Sequence, residues 1–325
     1  MAHSAEQIEL IVTADDLGVC DERNRGIVHC LQQGVVSATS AMCNAPAAVS
    51  GLHAVGLISL HALECVGLHL NLTEGFALAP AAEVSSLVKR ATLSSYNGAA
   101  AWEHSASAAG RPCFLGKAGF SQACVDGIID PKQVVREARA QIEWFRSSTG
   151  RLPSHVDGHQ HCHIEPLIAE DLALLFAEYS IPAVRIPEER GYDHLGIFCS
   201  RCLEVQALCQ SARAVYSSHG IKSPDAYLGC SLCGVRYLPA DFIAALDKQI
   251  ALLRSSKGRC SAQLVIEAMC HPGFSAPGQW DEFSASVDRE IEIKTLCDPV
   301  LQEALARRGV VLHSYASSSL SSGDA

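Results

Sequence analysis

The chain has 325 residues, 48% of them hydrophobic and 18% charged, with a formal net charge of −10. That balance fits a compact globule with a substantial core and excludes a disordered chain. It also argues against nucleic acid as a partner, because phosphate neutralisation needs clustered Lys and Arg, and no basic block is present.

Membranes are excluded on similar grounds, since no apolar run reaches the length of a spanning helix. β-type sequence begins at Ile8, which leaves no room for a signal peptide before the fold starts. The 15 cysteines are odd in number and sit in apolar surroundings. They are expected to be reduced, in a cytosolic or nuclear compartment.

Ile8 to Val12 reads as an apolar strand that runs into Asp15, Asp16 and Gly18. Adjacent strand residues point to opposite faces, so the two carboxylates diverge in regular geometry. At a strand end the backbone can turn, and both can then line one pocket in different roles, one on a metal and one moving a proton. Alone, an Asp-Asp-x-Gly turn is an ordinary loop. Asn24 to Leu31 follows as a short helix closed by Gly34, and Val35 to Met42 as a second strand.

His69 falls in Gly67-Leu68-His69-Leu70-Asn71-Leu72-Thr73. The alternation puts His69, Asn71 and Thr73 on one face of a strand and the leucines on the other. A lone histidine among leucines is more often a core residue, but a polar stripe suggests a lined cavity. Ser94 to Arg111, rich in Ala, Ser and Gly, reads as a surface insertion. The clearest helix starts at Asp130-Pro131, an N-cap followed by proline at the first helical position, and Gly150 stops it. Its apolar stripe is Val134, Val135, Ala138, Ile142 and Phe145.

Asp157, His159, His161 and His163 alternate, so in a strand they would share a face. Carboxylate and imidazoles form a ligand set for a hydrolytic divalent metal. All four cannot bind one ion, and Asp157 is better placed to orient an imidazole. Leu172 to Tyr179 reads as a helix and Ala183 to Ile186 as a strand. Cys199/Cys202 and Cys230/Cys233 form two CxxC pairs, but their gap is long for a zinc ribbon. Cys202 also joins Phe198, Val205, Leu208 and Cys209 in a helical stripe, which favours packing over zinc. Asp241 to Leu253 reads as a helix. Leu264 to Met269 is a buried strand ending at His271-Pro272-Gly273. A histidine there can act as a general acid, since its pKa lies near neutrality. A helix over 298–307 precedes a strand over Val310 to Tyr315, and 314–325 reads as a frayed tail.

Alternating β and α segments predict a single-domain α/β fold with a mostly parallel sheet. The polar candidates all fall at carboxyl ends of strands, where such sheets place their sites. Composition says little about oligomeric state.

Five blocks carry a resemblance: Thr13–Gly18, Asn24–Ile27, Gly67–Thr73, His155–His163 and Met269–Gly273. In order and in content they resemble the YdjC family of carbohydrate deacetylases. Phe114–Lys117 and the stretch from Ser218 to Gly229 look closest to its animal members. The resemblance implies a distorted TIM-like (β/α) barrel over residues 1–313 and hydrolysis of acetyl groups from N-acetylated sugars or oligosaccharides. It implies Asp16, His69 and His159 as metal ligands, Asp15 as catalytic base, His271 as proton donor and Arg185 beside the site. His161 and His163 match the pattern without being counted as ligands. The implied metal is Mg²⁺, whereas one carboxylate and two imidazoles suit Zn²⁺ by softness. Leu17 and Ala45 depart from the usual Phe and Gly without removing a ligand. Two other readings stand beside this one: hydrolysis of a different amide, ester or phosphate, and a sugar- or partner-binding protein without turnover.

Overall fold

The computed structural model describes residues 7–59, 61–90, 112–191, 200–232, 236–257, 263–275 and 282–321. The expected insertion over Ser94 to Arg111 therefore lies outside the described residues, as do Phe198, Cys199 and Cys233.

The first strand, β1 (Gln7–Leu17), is buried along all but its first residue. A strand covered on both faces belongs at the centre of a parallel sheet, and β1 sits there. Helix α1 (Asp21–Gln33) starts three residues before the expected Asn24. The Cys20 thiol accepts from the Arg23 amide, and Asp21 and Glu22 complement the dipole at its first turn. Then follow β2 (Ala38–Ala41), α2 (Ala48–Gly56) and β3 (Val66–Leu70). A small hairpin, β4 (Val88–Arg90) with β5 (Pro112–Phe114), stands apart from the main sheet.

After α3 (Lys117–Val125), helix α4 (Pro131–Thr149) has the expected punctuation. Asp130 accepts from the Lys132 amide, Pro131 opens the first turn, and Gly150 ends it at φ 74°. Of its expected stripe, Val134, Ala138, Ile142 and Phe145 are fully buried and Val135 is half-buried. Next come β6 (Val156–Gly158), α5 (Pro166–Glu178), α6 (Ser200–Ser218), β7 (Ala226–Leu228) and α7 (Pro239–Lys257). The chain continues through β8 (Gln263–Cys270), α8 (Glu282–Ala285), α9 (Asp288–Leu296), α10 (Pro299–Arg307) and β9 (Val310–Leu312).

The main sheet runs β6-β3-β2-β1-β8-β7, with β9 beside the amino half of β1, and all its pairs are parallel. It curls into a half-barrel rather than a closed barrel. The run Ala183 to Ile186, expected as a strand, makes only isolated bridges, Val156 to Val184 and Ala183 to Lys222. Pro182 and Pro187 bracket it and withhold two amide donors. The expected barrel is thus present in its curl and open on this side.

Two more expectations change. Residues 159–164 leave the strand path, as described below. Residues 314–321 are docked rather than frayed: Tyr315, Ser318 and Leu320 are buried. Their backbone is held by the Ser319 amide donating to Glu9 Oε2 at 3.0 Å. No described helix is long and apolar enough to cross a membrane. The eleven described cysteines whose side chains are placed are all unbridged.

Candidate active site

Parallel pairing brings the carboxyl ends of β1, β3, β6 and β8 together. Ala14 pairs with Cys270, one residue before His271, and His69 pairs with Asp157. The ladder between β1 and β2 is irregular between Ala14 and Leu17. There Asp16 adopts φ 67°, a left-handed value that costs a non-glycine residue about 1–2 kcal/mol. That turn lets Asp15 and Asp16 line the same cavity, of about 330 Å³. Gly18, at φ 104°, lets the chain pass Ala48, whose Cα would lie 2.7 Å from an added Cβ.

The histidine run is a tight turn, not a strand. Gln160 and His161 have φ 55° and 61°, and His159 to Ile164 coil as a short 3-10 turn. Alternation therefore fails after Asp157, and the imidazoles separate. His159 faces Asp16, and His161 lines the same cavity. His163 is fully buried, with its Nε2 donating to the Arg185 carbonyl at 2.7 Å. Of four non-glycine left-handed residues among those described, three lie in these two turns. Such strain concentrates at functional sites.

Three ligand-type atoms converge. Asp16 Oδ1 lies 3.3 Å from His69 Nε2 and 3.2 Å from His159 Nδ1, and the two nitrogens are 3.1 Å apart. Ligands about 2.1 Å from a common ion stand about 3.0–3.4 Å apart at octahedral or tetrahedral angles. The opposite ring nitrogens are already engaged. His69 Nδ1 meets Asp157 Oδ1 at 2.8 Å, and His159 Nε2 meets Glu74 Oε2 at 3.2 Å. Each imidazole is thus oriented by a carboxylate behind it, the usual support of a metal-binding histidine. Asp16 Oδ1 is buried and makes no hydrogen bond among the described residues. Asp15, Asp157 and Glu267 crowd around the fully buried Arg185, and Arg23 stands 3.9 Å from Asp16 Oδ2. The residues present fit a divalent cation held by Asp16, His69 and His159.

Burial alone would lower the pKa of His69, but Asp157, Asp16 and Asp15 outweigh it and raise it to about 10. Burial likewise opposes the charge on His159, and Asp16 and Glu74 raise it to about 9. Burial disfavours ionised Asp16, yet the two imidazoles hold it well below the usual carboxylate range.

Asp15 belongs to a second layer. Arg185 grips it bidentately, Nη1 to Oδ2 at 2.6 Å and Nη2 to Oδ1 at 2.7 Å. Burial raises the Asp15 pKa to about 6, with Arg185 opposing and Asp157 adding to the rise. Arg185 is itself fixed by Asp157 at 3.0 Å and by Glu267 Oε1 at 3.0 Å from its Nε. Glu267 in turn accepts from Thr13 Oγ1 at 2.8 Å and from the Tyr315 hydroxyl at 2.7 Å. His271 Nε2 lies 3.9 Å from Asp15 Oδ2. Its backbone is braced by Arg23, which donates to its carbonyl at 2.6 Å, and by Glu292, which accepts from its amide. Burial and the cations Arg289 and Arg23 hold the His271 imidazole well below its usual range.

Asn71 and Thr73 do not line the cavity, because β3 ends at Leu70. Asn71 folds back instead. Its Oδ1 accepts from the amides of Thr73 and Glu74, each at 3.0 Å, and its Nδ2 donates to the Glu74 carbonyl at 2.7 Å. That turn delivers Glu74 to His159. Sequence reasoning missed Glu74 and Glu267. Glu74 follows the His69 block directly, which was a usable signal. Glu267 lies inside an apolar strand, and its role depends on pairing across 254 residues with Thr13.

A curled parallel sheet with a buried carboxylate–imidazole cluster at its carboxyl edge defines an α/β half-barrel with a site that could hold a divalent metal. The family model described as YdjC-like protein matches residues 9–307, and the chain belongs to that family. It is 34% identical to a human protein named carbohydrate deacetylase, with 95% of this chain and 90% of that one covered. A zebrafish (Danio rerio) protein of the same name is 32% identical, over 95% of this chain and 98% of that one. A chitooligosaccharide deacetylase of Yersinia pestis is 28% identical, over 94% and 97%. Among solved structures, an Enterococcus faecalis protein named as a candidate for cellobiose-phosphate cleavage superposes with a TM-score of 0.69 at 22% identity. That alignment covers 96% of this chain and 98% of the other, and it supports the shared fold.

Proposed function

We propose that the protein removes acetyl groups from N-acetylated sugars by metal-assisted hydrolysis. The convergence of Asp16, His69 and His159, each imidazole backed by a carboxylate, carries this reading. The names of the relatives give the substrate class. A bound divalent ion supplies Lewis-acid polarisation of the acetyl carbonyl and activation of water.

The chain's own residues handle the proton. Asp15, with its pKa near 6, is suited to take a proton from water close to neutral pH. Arg185 keeps its carboxylate aimed at the cavity. An amide nitrogen must be protonated to leave, and His271 is placed to deliver that proton. Because His271 is neutral at rest, the proton it hands over is the one taken from water, relayed from Asp15 through a bridging water, since the two groups stand 3.9 Å apart. Negative charge developing on the acetyl oxygen favours the imidazolium at that moment. Both residues return to their starting states.

The resemblance implies Mg²⁺, and the donor set suits Zn²⁺. Metal analysis of the purified protein decides between them. The reading is tested by acetate release from N-acetylglucosamine oligomers. Chelation should abolish release and a divalent ion should restore it. Full activity in metal-stripped protein would sink the metal mechanism, and no acetate from any acetylated sugar would sink the substrate class.

A further inference from the structure

The cavity is not uniform around the cluster. Beside His159 the wall is polar, formed by Glu74 and Gln160, which are joined by a 2.7 Å hydrogen bond. Beside His271 stands Phe283, whose ring meets the imidazole edge-on at 5.0 Å and 88°. Phe283 also lines the cavity and is 45% exposed. The ring is held by two guanidinium groups, that of Arg289 4.0 Å from its centroid and that of Arg23 at 5.6 Å. Arg289 is itself held by Glu292 at 3.0 Å. An aromatic ring fixed in place yet left almost half open at the rim of a polar cavity is an unused binding surface.

The chemistry says what belongs there, if the deacetylase reading holds. A proton donor must stand beside the leaving nitrogen, and that nitrogen carries the sugar ring. The acetyl group then lies toward Asp16, His69 and His159, and the sugar lies on the His271 side. We infer that Phe283 is the stacking platform for the pyranose ring that bears the acetamide. Sugar rings present an apolar C–H face that matches the negative face of an aromatic ring. Phe283 thereby selects carbohydrate amides over small acyclic amides, which reach the cluster but leave the ring uncovered.

The test uses metal-loaded protein with Phe283 replaced by Ala or by Tyr, at a position exposed enough to spare the fold. Binding of the glucosamine dimer, a product that cannot be turned over, is measured by titration calorimetry. In parallel, kcat and KM for acetate release from the acetylated dimer and bound metal are determined. Phe283→Ala should weaken binding and raise KM about five- to twenty-fold, at unchanged metal content and with kcat little altered. Phe283→Tyr should bind as the parent does. Equal affinity in the parent and Phe283→Ala, no binding by the parent, or equal losses in both variants would overturn the platform. Ring-dependent sugar binding without any acetate release would uphold the platform while refuting the deacetylase reading.

Discussion

At the scale of single residues, the division between Asp15 and Asp16 rests on one backbone torsion. In a regular strand the two side chains diverge, and φ 67° at Asp16 brings both to the cavity. Their partners then separate them. Asp16 is met by two imidazoles, and Asp15 is occupied on both oxygens by Arg185. Asp15→Asn is expected to keep metal and sugar binding while lowering kcat by roughly 10²–10⁴, the usual worth of a positioned base. Asp16→Asn is expected to weaken metal binding, because a neutral amide oxygen is a poorer ligand than a carboxylate. Metal content and kcat, measured on both variants, check the assignment. Loss of the ion from Asp15→Asn with retention by Asp16→Asn would reverse it.

At the scale of elements, what was legible in the sequence followed local rules. The Asp130-Pro131 start and Gly150 stop of α4 are written in adjacent residues, and so is the apolar run of β8. The cluster was legible as a region, because Asp15, Asp16, His69 and the histidine run all close or follow strands, whereas the choice of Asp16, His69 and His159 within it came from the family resemblance. The 159–163 segment was misread because alternation looks the same whether a chain continues extended or coils. Two left-handed residues, Gln160 and His161, break the period, and neither is a glycine that would have announced it. The Asn71 turn hid for a related reason, since side-chain bonds to its own backbone replaced the strand pattern. That turn gives a prediction. Glu74→Ala removes the carboxylate behind His159, and losses of this kind cost about 10–100-fold in metal affinity. A competition titration with a chromogenic chelator reads the change. Affinity equal to the parent would show that the 3.2 Å contact does not orient His159.

At the scale of the whole molecule, the half-barrel is fastened to its site through buried charge. The docked C-terminal segment donates the Tyr315 hydroxyl to Glu267, and its ring stacks on His155 with centroids 3.8 Å apart. Glu267 holds Arg185, and Arg185 holds Asp15. Tyr315→Phe keeps the stacking but leaves a buried carboxylate oxygen short of a donor, at a cost of about 1–3 kcal/mol. A lower denaturation midpoint should show it, and an unchanged midpoint would mean that water replaces the hydroxyl.

The same buried charge ties stability to pH. Without metal, His69 and His159 have folded pKa values raised to about 10 and about 9, above the ordinary value of 6.5. Groups raised in the folded state contribute stability fully below about pH 6.5, and that contribution fades as pH climbs through their folded values. Metal-free protein should therefore lose thermal stability between about pH 6.5 and pH 9. A divalent ion competes with the same two protons, so its affinity should rise over that window. The metal-induced gain in Tm should consequently grow with pH, and calorimetry in buffers of different ionisation enthalpy should record proton release on binding. A gain in Tm that shrinks toward pH 9, or binding without proton release, would show that the imidazoles are not protonated in the metal-free cluster. In that case Asp16, Asp157 and Glu74 would face neutral rings, and Arg185 beside Asp157 and Arg23 at 3.9 Å from Asp16 would be left to balance the excess negative charge.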